Sequence, residues 1–271
     1  MTAPALSVST DHGRMYMHPG TAQMVPSITN VIGMKDKPAL KWWAAREAAT
    51  FAANNLDTLG ALSVQERIDL IKGAPFRRTA KASDDGNMVH DWIDIYAKTG
   101  QLAETLATYD KSTFTAKNMY KQFIALRNKY DLRFTLSEFT VWSDEYGYAG
   151  TADWFGHMEV NGKSFTILGD TKTGKGVYPE VGMQLAAIAN ADFILDENGE
   201  QHELPKAHKY GVLHVRPRGA SLIPVKNIDK CFNAFLGLRA VFEWHTLTAQ
   251  NDVLGWAPKI SAKTEAEKNG S

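Results

Sequence analysis

The chain reads GTADWFGHMEVNGKSFTILGDTK from Gly150 to Lys172. The residues on both sides of the dipeptide Asn161-Gly162 are rich in aromatic and β-branched types, which favour β-strands. Asn-Gly is among the strongest sequence signals for a two-residue hairpin turn. The stretch therefore predicts a β-hairpin, and the rest of the fold is worked out around it.

The hairpin brings two carboxylates toward each other. Pairing about the turn, with Ser164 near Val160, places Asp170 near Trp154 and Asp153. A β-bulge would settle the register. Two carboxylates this close repel each other unless a cation lies between them, so the pair is a candidate site for a divalent cation.

Asp170 and Lys172 are two residues apart, so in a strand they share one face, with Thr171 on the other. Mg²⁺ prefers oxygen ligands, and it can polarise a phosphoryl oxygen and activate a water molecule. Lys172 could then orient that water or stabilise charge in the transition state. The alternative is a plain surface salt bridge, which is the usual meaning of a bare Asp-x-Lys sequence.

Periodicity and turn residues place the other elements. The predicted helices are residues 38–55, 63–72, 75–96, 113–130, 180–193 and 227–250, and the predicted strands are 137–142, 148–160, 164–171, 210–215 and 220–225. Strands 137–171 read as a three-stranded meander. This order predicts an α/β (α+β) fold with a central mixed sheet flanked by helices and a helical N-terminal part.

The domain organisation is predicted from composition. Residues 1–25 read as a flexible N-terminal arm, 26–260 as a single domain, and 261–271 as a flexible polar tail. The chain of 271 residues is long enough for a sizeable core.

Charge and cysteine content exclude several classes of protein. The formal net charge is zero, so any nucleic-acid surface has to be a local patch. The single cysteine, Cys231, excludes an internal disulfide and a four-Cys iron–sulfur cluster. No run of 18 apolar residues and no signal-peptide pattern occurs, so we expect a cytoplasmic protein that does not enter a membrane.

Three further polar residues are candidates for the same site. His90 lies in a predicted helix, Glu138 starts the first strand of the meander, and Gln184 interrupts an apolar run on the helix after Asp170. An imidazole binds Mn²⁺ acceptably, and a glutamine could contact water or phosphate. For each residue the alternative is a structural or solvated side chain.

The ordered set of these residues resembles the PD-(D/E)XK nuclease superfamily. It comprises Gly86-x-x-x-His90, Glu138, Gly150-Thr151-Ala152-Asp153, Gly169-Asp170-Thr171-Lys172 and Gln184. The chain is similar to the RecB-type branch, including stand-alone phage exonucleases, over roughly residues 26–250. The resemblance implies a restriction-endonuclease-like core.

The resemblance also implies roles for individual residues. His90, Asp153 and Asp170 become metal ligands, with the Thr171 carbonyl as a fourth, and Lys172 becomes the catalytic lysine. Glu138 matches an acid that often precedes the core, and Gln184 matches the first residue of a Gln-x-x-x-Tyr motif.

The chain departs from the family at two points. Ile188 stands where the tyrosine of the Gln-x-x-x-Tyr motif would be, so the resemblance does not extend to the substrate contact of that tyrosine. The four-Cys iron–sulfur cluster of some relatives cannot form here.

The leading hypothesis is a DNA nuclease dependent on Mg²⁺ or Mn²⁺, an exonuclease by resemblance, that acts in phage-type recombination, repair or DNA processing. Its expected partners are DNA and a single-strand annealing or other recombination protein, in the host cytoplasm if phage-encoded. The alternatives are an endonuclease of the same superfamily, a DNA-binding module without cleavage, and a metal-dependent hydrolase of a non-nucleic substrate.

Overall fold

The computed structural model describes residues 6–101, 113–248 and 253. Its strands are β1 (Ser7–Thr10), β2 (Gly13–Met17), β3 (Met24–Pro26), β4 (Arg133–Ser143), β5 (Tyr148–Val160), β6 (Lys163–Lys172), β7 (Phe193–Leu195), β8 (Gln201–His202), β9 (Lys209–Arg216) and β10 (Gly219–Pro224). Its helices are α1 (Ile28–Ile32), α2 (Pro38–Asn54), α3 (Leu56–Gly60), α4 (Val64–Thr99), α5 (Phe114–Lys129), α6 (Glu180–Ala189) and α7 (Ile228–Glu243), and a π-helical turn follows (Trp244–Thr248).

The main sheet has seven strands in the order β10-β9-β6-β5-β4-β7-β8. Only β6 and β9 pair in parallel within this sheet, and the helix α6 lies in the connection between them. The predicted α/β class, the mixed sheet flanked by helices and the meander β4-β5-β6 are confirmed.

The β5–β6 hairpin forms around the predicted turn. Asn161 and Gly162 both have positive φ, 51° and 72°, as a tight hairpin turn requires. Val160 pairs with Lys163, so the predicted register was wrong by one residue. The turn holds two residues rather than the three that the predicted pairing implies, and this shift brings Asp170 opposite Asp153, one step beyond the last ladder pair.

Two hydrophobic clusters cover the two faces of the sheet. The face toward α1, α6 and α7 is filled by residues such as Phe155, Leu185 and Phe235, and the face toward α4 and α5 is filled around Trp154. Trp154 is fully buried against Gly169, where a Cβ atom would come within 1.9 Å of the indole ring. Gly169 is thus required beside the predicted site because no side chain fits there.

Helix α4 corrects one prediction. The sequence predicts two helices, 63–72 and 75–96, yet Val64–Thr99 is one continuous helix that contains Pro75. A proline inside a helix costs about 3 kcal/mol. A capping box formed by Ser63 and Glu66 and a left-handed Gly100 at the C-terminus stabilise the ends of the helix.

The N-terminal arm is also corrected for its described residues. Strands β1, β2 and β3 form a separate antiparallel sheet, and Tyr16 and Val25 are only 1% and 3% exposed. Both pack in a cluster with Trp142 of β4. The segment is largely polar, so its composition did not predict these few contacts with residues distant in sequence. The predicted tail, residues 261–271, lies outside the described residues.

The helix predicted over residues 180–193 ends early. α6 stops at Ala189, and Phe193–Leu195 pairs with β4 as a short strand. Phe193 is aromatic and Ile194 is β-branched, so pairing with a neighbouring strand outweighs the helical pattern.

Candidate functional site

Asp153 is fixed at the point where the β5–β6 ladder ends. Its Oδ2 accepts a hydrogen bond from the backbone N–H of Thr171 at 2.7 Å. The Thr171 hydroxyl in turn accepts a hydrogen bond from the indole Nε1 of Trp154 at 3.2 Å. The carboxylate therefore lies against the end of β6, as the hairpin predicts.

Asp170 and Lys172 form an ion pair on one face of β6, as predicted. The lysine Nζ lies 2.7 Å from each carboxylate oxygen, with hydrogen-bond geometry to Oδ1. Oδ2 is buried and accepts no well-aligned hydrogen bond from the described residues. Because the side chain of Asp170 is only 1% exposed, the pair is not a simple surface salt bridge.

The electrostatics of this pair are unbalanced. Burial, and then the charge of Asp153, raises the pKa of Asp170 to about 7 against the opposing effects of Lys172 and Gln184. Burial lowers the pKa of Lys172, but Asp170 and Asp153 raise it overall. The two shifts are compatible because the lysine is 39% exposed and is attracted by two carboxylates. The single ammonium group of Lys172 thus lies near the two carboxylates of Asp153 and Asp170, so an excess of negative potential remains between them.

His90 reaches the site from α4. Gly86, one turn earlier, lets the helix approach β6 closely, since a Cβ atom there would lie 2.5 Å from the Thr173 hydroxyl. His90 Nδ1 is 3.9 Å from Asp153 Oδ2, which is too far for a hydrogen bond. Burial lowers the pKa of His90 below its ordinary value although Asp153 opposes this. A neutral imidazole retains a lone pair with which to bind a metal ion.

Glu138 lies on β4 in register with Asp153, because its two neighbours pair with Trp154 and Ala152. Its φ of 48° is left-handed, an uncommon conformation for a residue other than glycine. Burial first, and then Asp153, raises the pKa of Glu138 to about 7. Strained backbone of this kind tends to occur at functional sites.

A small cavity lies beside His90, Glu138 and Asp153, and its lining does not include Asp170 or Lys172. It is lined by Glu138, His90, Asp153 and Thr171, among others, and its volume is about 10 Å³. A cavity of this size has room for about one water molecule or ion. We refer to Asp153, Asp170 and Lys172, with His90, Glu138 and Gln184, as the strand-end site.

Helix α6 completes the strand-end site. Gln184 lies close enough to Asp170 for its side chain to lower the pKa of the acid through a hydrogen bond. Ile188, one turn later, is 1% exposed and belongs to the hydrophobic core. Its side chain packs in the core, so it does not take the place of a tyrosine that contacts substrate.

The structure contains another acid–imidazole cluster that sequence reasoning missed. The potential ligand atoms of Asp196, Glu200 and His202 all lie within 4.8 Å of one another, so this cluster could hold a metal ion. We call it the hairpin trio, because it lies at the β7–β8 hairpin. Within residues 6–101 and 113–248, His90, Asp153 and Asp170 do not form so compact a set. The spacing Asp-x-x-x-Glu-x-His around a turn was the available signal.

The two clusters are separate. β8 lies four strands from β6, which carries Asp170 and Lys172, or about 19 Å at ordinary strand spacing, whereas Glu138 lies on β4, which pairs with β7. In the described part of the chain no helix is both long and apolar enough to cross a bilayer. No protein-family model and no curated protein matches the sequence.

Proposed function

We propose that the protein is a DNA nuclease that hydrolyses phosphodiester bonds with Mg²⁺ or Mn²⁺ at the strand-end site. The observation that carries this proposal is the buried carboxylate of Asp170. One of its oxygens lacks an aligned hydrogen bond, and Asp153 and Lys172 lie beside it. A divalent cation would relieve the repulsion between the two acids.

The donor set fits such an ion. Asp153 and Asp170 would provide carboxylate oxygens, His90 would provide a nitrogen, and the Thr171 carbonyl would be a further oxygen ligand. Mg²⁺ usually keeps several waters and binds through only one or two carboxylates, so a compact trio is not required. When bound, the ion polarises a phosphoryl oxygen and lowers the pKa of an attacking water.

The remaining side chains have distinct roles in this proposal. Lys172 is partly exposed beside Asp170, so its ammonium group can stabilise negative charge that develops on the phosphoryl oxygens. Gln184, whose hydrogen bond lowers the pKa of Asp170, would orient the attacking water. Glu138 adds negative charge next to Asp153 and strengthens the attraction for a cation.

The resemblance to RecB-type phage exonucleases supports DNA as the substrate and favours removal of nucleotides from an end. It also supports action together with a single-strand annealing or other recombination protein in the cytoplasm.

The test is digestion of end-labelled linear, nicked and circular DNA with Mg²⁺, with Mn²⁺, and with EDTA. We expect loss of linear DNA with either metal and none with EDTA. Asp170→Asn should abolish cleavage, whereas Asp196→Asn in the hairpin trio should retain it. Cleavage of closed circles would indicate an endonuclease. If the protein binds DNA and the DNA stays intact with both metals, the protein is a DNA-binding module without cleavage.

A further inference from the structure

A second cavity, much larger than the one at the strand-end site, opens near the hairpin end of β6. Its volume is about 620 Å³, within the range of pockets that bind small organic ligands. It is lined by the residue after α5, the paired ends of β5 and β6, and the pair β9–β10. We call it the aromatic cleft.

Three half-buried aromatic side chains make up much of the cleft lining. Tyr130, Phe165 and Tyr210 line it, above an apolar floor that includes Met158 and Ile167. Aromatic side chains stack on nucleobases, and each such contact contributes about 1–3 kcal/mol. The two phenol hydroxyls add polar groups that can recognise the edge of a planar ring.

The charged residues that line the cleft are basic, and the carboxylate of Asp229 acts on Tyr210 from outside this lining. Lys209 and Lys226 line it from two different segments, together with His208, and no carboxylate is among its lining residues in the described chain. Lys209 Nζ lies 5.1 Å from the centre of the Phe165 ring, so a cation is already next to a stacking surface. A ligand that combines a planar ring with a negative charge matches this arrangement.

The cleft is distinct from the strand-end site. Phe165 precedes Asp170 by five residues on the same strand, which is about 17 Å of extended chain. A group bound in the cleft therefore does not contact the proposed catalytic side chains.

We infer that the aromatic cleft binds a nucleotide, with its base among Tyr130, Phe165 and Tyr210 and its phosphate on Lys209 and Lys226. A fatty acid would match less well, because it needs one terminal cation rather than cations on two segments and does not use the phenol hydroxyls. The nucleotide can be free or part of a single strand. The inference does not depend on cleavage, so it is tested without metal.

The binding experiment uses the wild-type full chain in EDTA with two probes, thymidine monophosphate by calorimetry and a fluorescent oligothymidylate by anisotropy. The double variant Lys209→Met/Lys226→Met should bind at least tenfold more weakly. Lys163→Met/Lys206→Met, which removes two exposed lysines outside the cleft lining, should stay within twofold of the wild type. Binding of both probes identifies a free-nucleotide site, and binding of the oligomer alone identifies a single-strand site.

A local measurement keeps the inference falsifiable if a variant fails to fold. An oligonucleotide carrying 5-iodouracil is irradiated on the wild-type protein, and the cross-linked peptide is identified by mass spectrometry. Cross-links at Tyr130, Phe165 or Tyr210 support the cleft. Cross-links only elsewhere, absence of binding by both probes, or binding of a fatty acid in place of both overturns it. None of these outcomes is decided by whether the protein cleaves DNA in Mg²⁺.

Discussion

Two groups of acids with a histidine lie on one sheet, and they differ in what surrounds them. In the hairpin trio, hydrogen bonds from the backbone N–H of Glu200 and from His202 lower the pKa of Asp196. In the strand-end site, burial and a neighbouring acid raise the pKa of Asp170 to about 7. The hairpin trio is the more compact set, yet the charge of Asp196 is already stabilised by hydrogen bonds within its own turn.

The comparison shows that closeness of ligand atoms and need for a cation are different properties. Asp196 accepts hydrogen bonds from two backbone N–H groups and contacts His202 at 3.2 Å. The carboxylate of Asp170 is buried, and only one of its two oxygens accepts a well-aligned hydrogen bond from the described residues. Desolvated, mutually repelling acids are typical of functional sites, so we expect chemistry at the strand end and little at the trio.

The largest expected effect is on catalysis. Lys172→Met should lower the DNA cleavage rate about 100- to 1000-fold, the usual loss when one group that stabilises transition-state charge is removed. Lys175→Met, which removes an exposed lysine three residues later, is the matched control and should cleave normally. Single-turnover rates at saturating protein measure both. Equal rates for the two variants would mean that Lys172 does not act in the reaction.

Metal binding should stabilise only one of the two regions. At 100 times its Kd, an ion that binds the folded state adds about 2.7 kcal/mol, or several degrees in Tm for a chain of this size. Thermal unfolding with and without Mn²⁺ should show that shift in the wild type and in Asp196→Asn, and not in Asp170→Asn. The opposite pattern of variants would assign the ion to the hairpin trio.

Without metal, the two acids should affect stability in opposite directions. The pKa of Asp170 is raised in the folded state, so its favourable contribution is complete below about pH 4 and is lost as pH rises through about 7. Asp170→Asn mimics the protonated acid but also removes the ion pair with Lys172, so we expect its stability relative to the wild type to rise from pH 4.5 to pH 8.

Asp196 should show the reverse. Its pKa is lowered, so its contribution is present above the unfolded-state pKa and is lost as pH falls. Asp196→Asn should therefore destabilise the fold at neutral pH and have less effect in acid. Urea unfolding in EDTA at both pH values measures the two variants, and a stability of Asp170→Asn relative to the wild type that falls from pH 4.5 to pH 8 would contradict the raised pKa of Asp170.

Local signals were enough to predict the hairpin and the pairing of Asp170 with Lys172. Asn161-Gly162 specifies its turn, and alternation along a strand places residues two apart on one face. The left-handed Glu138, the buried Tyr16 and the hairpin trio were not predictable in this way. Each depends on strands that are distant in sequence or on a turn whose pairing leaves little periodic pattern.

The smallest expected effect concerns Glu138, which links the strand-end site to β4. Its pKa is raised to about 7 by burial and by Asp153, so ionisation destabilises the metal-free fold between about pH 4 and pH 7. Because Glu138 is exposed to solvent, screening reduces the effect of its surroundings on its charge, and we expect Glu138→Gln to gain less than about 1 kcal/mol at pH 8. Glu200→Gln in the hairpin trio is the control and should show no such gain. Urea unfolding of both variants in EDTA compares the two regions, and equal changes would mean that the surroundings of Glu138 disfavour its charge no more than those of Glu200 do.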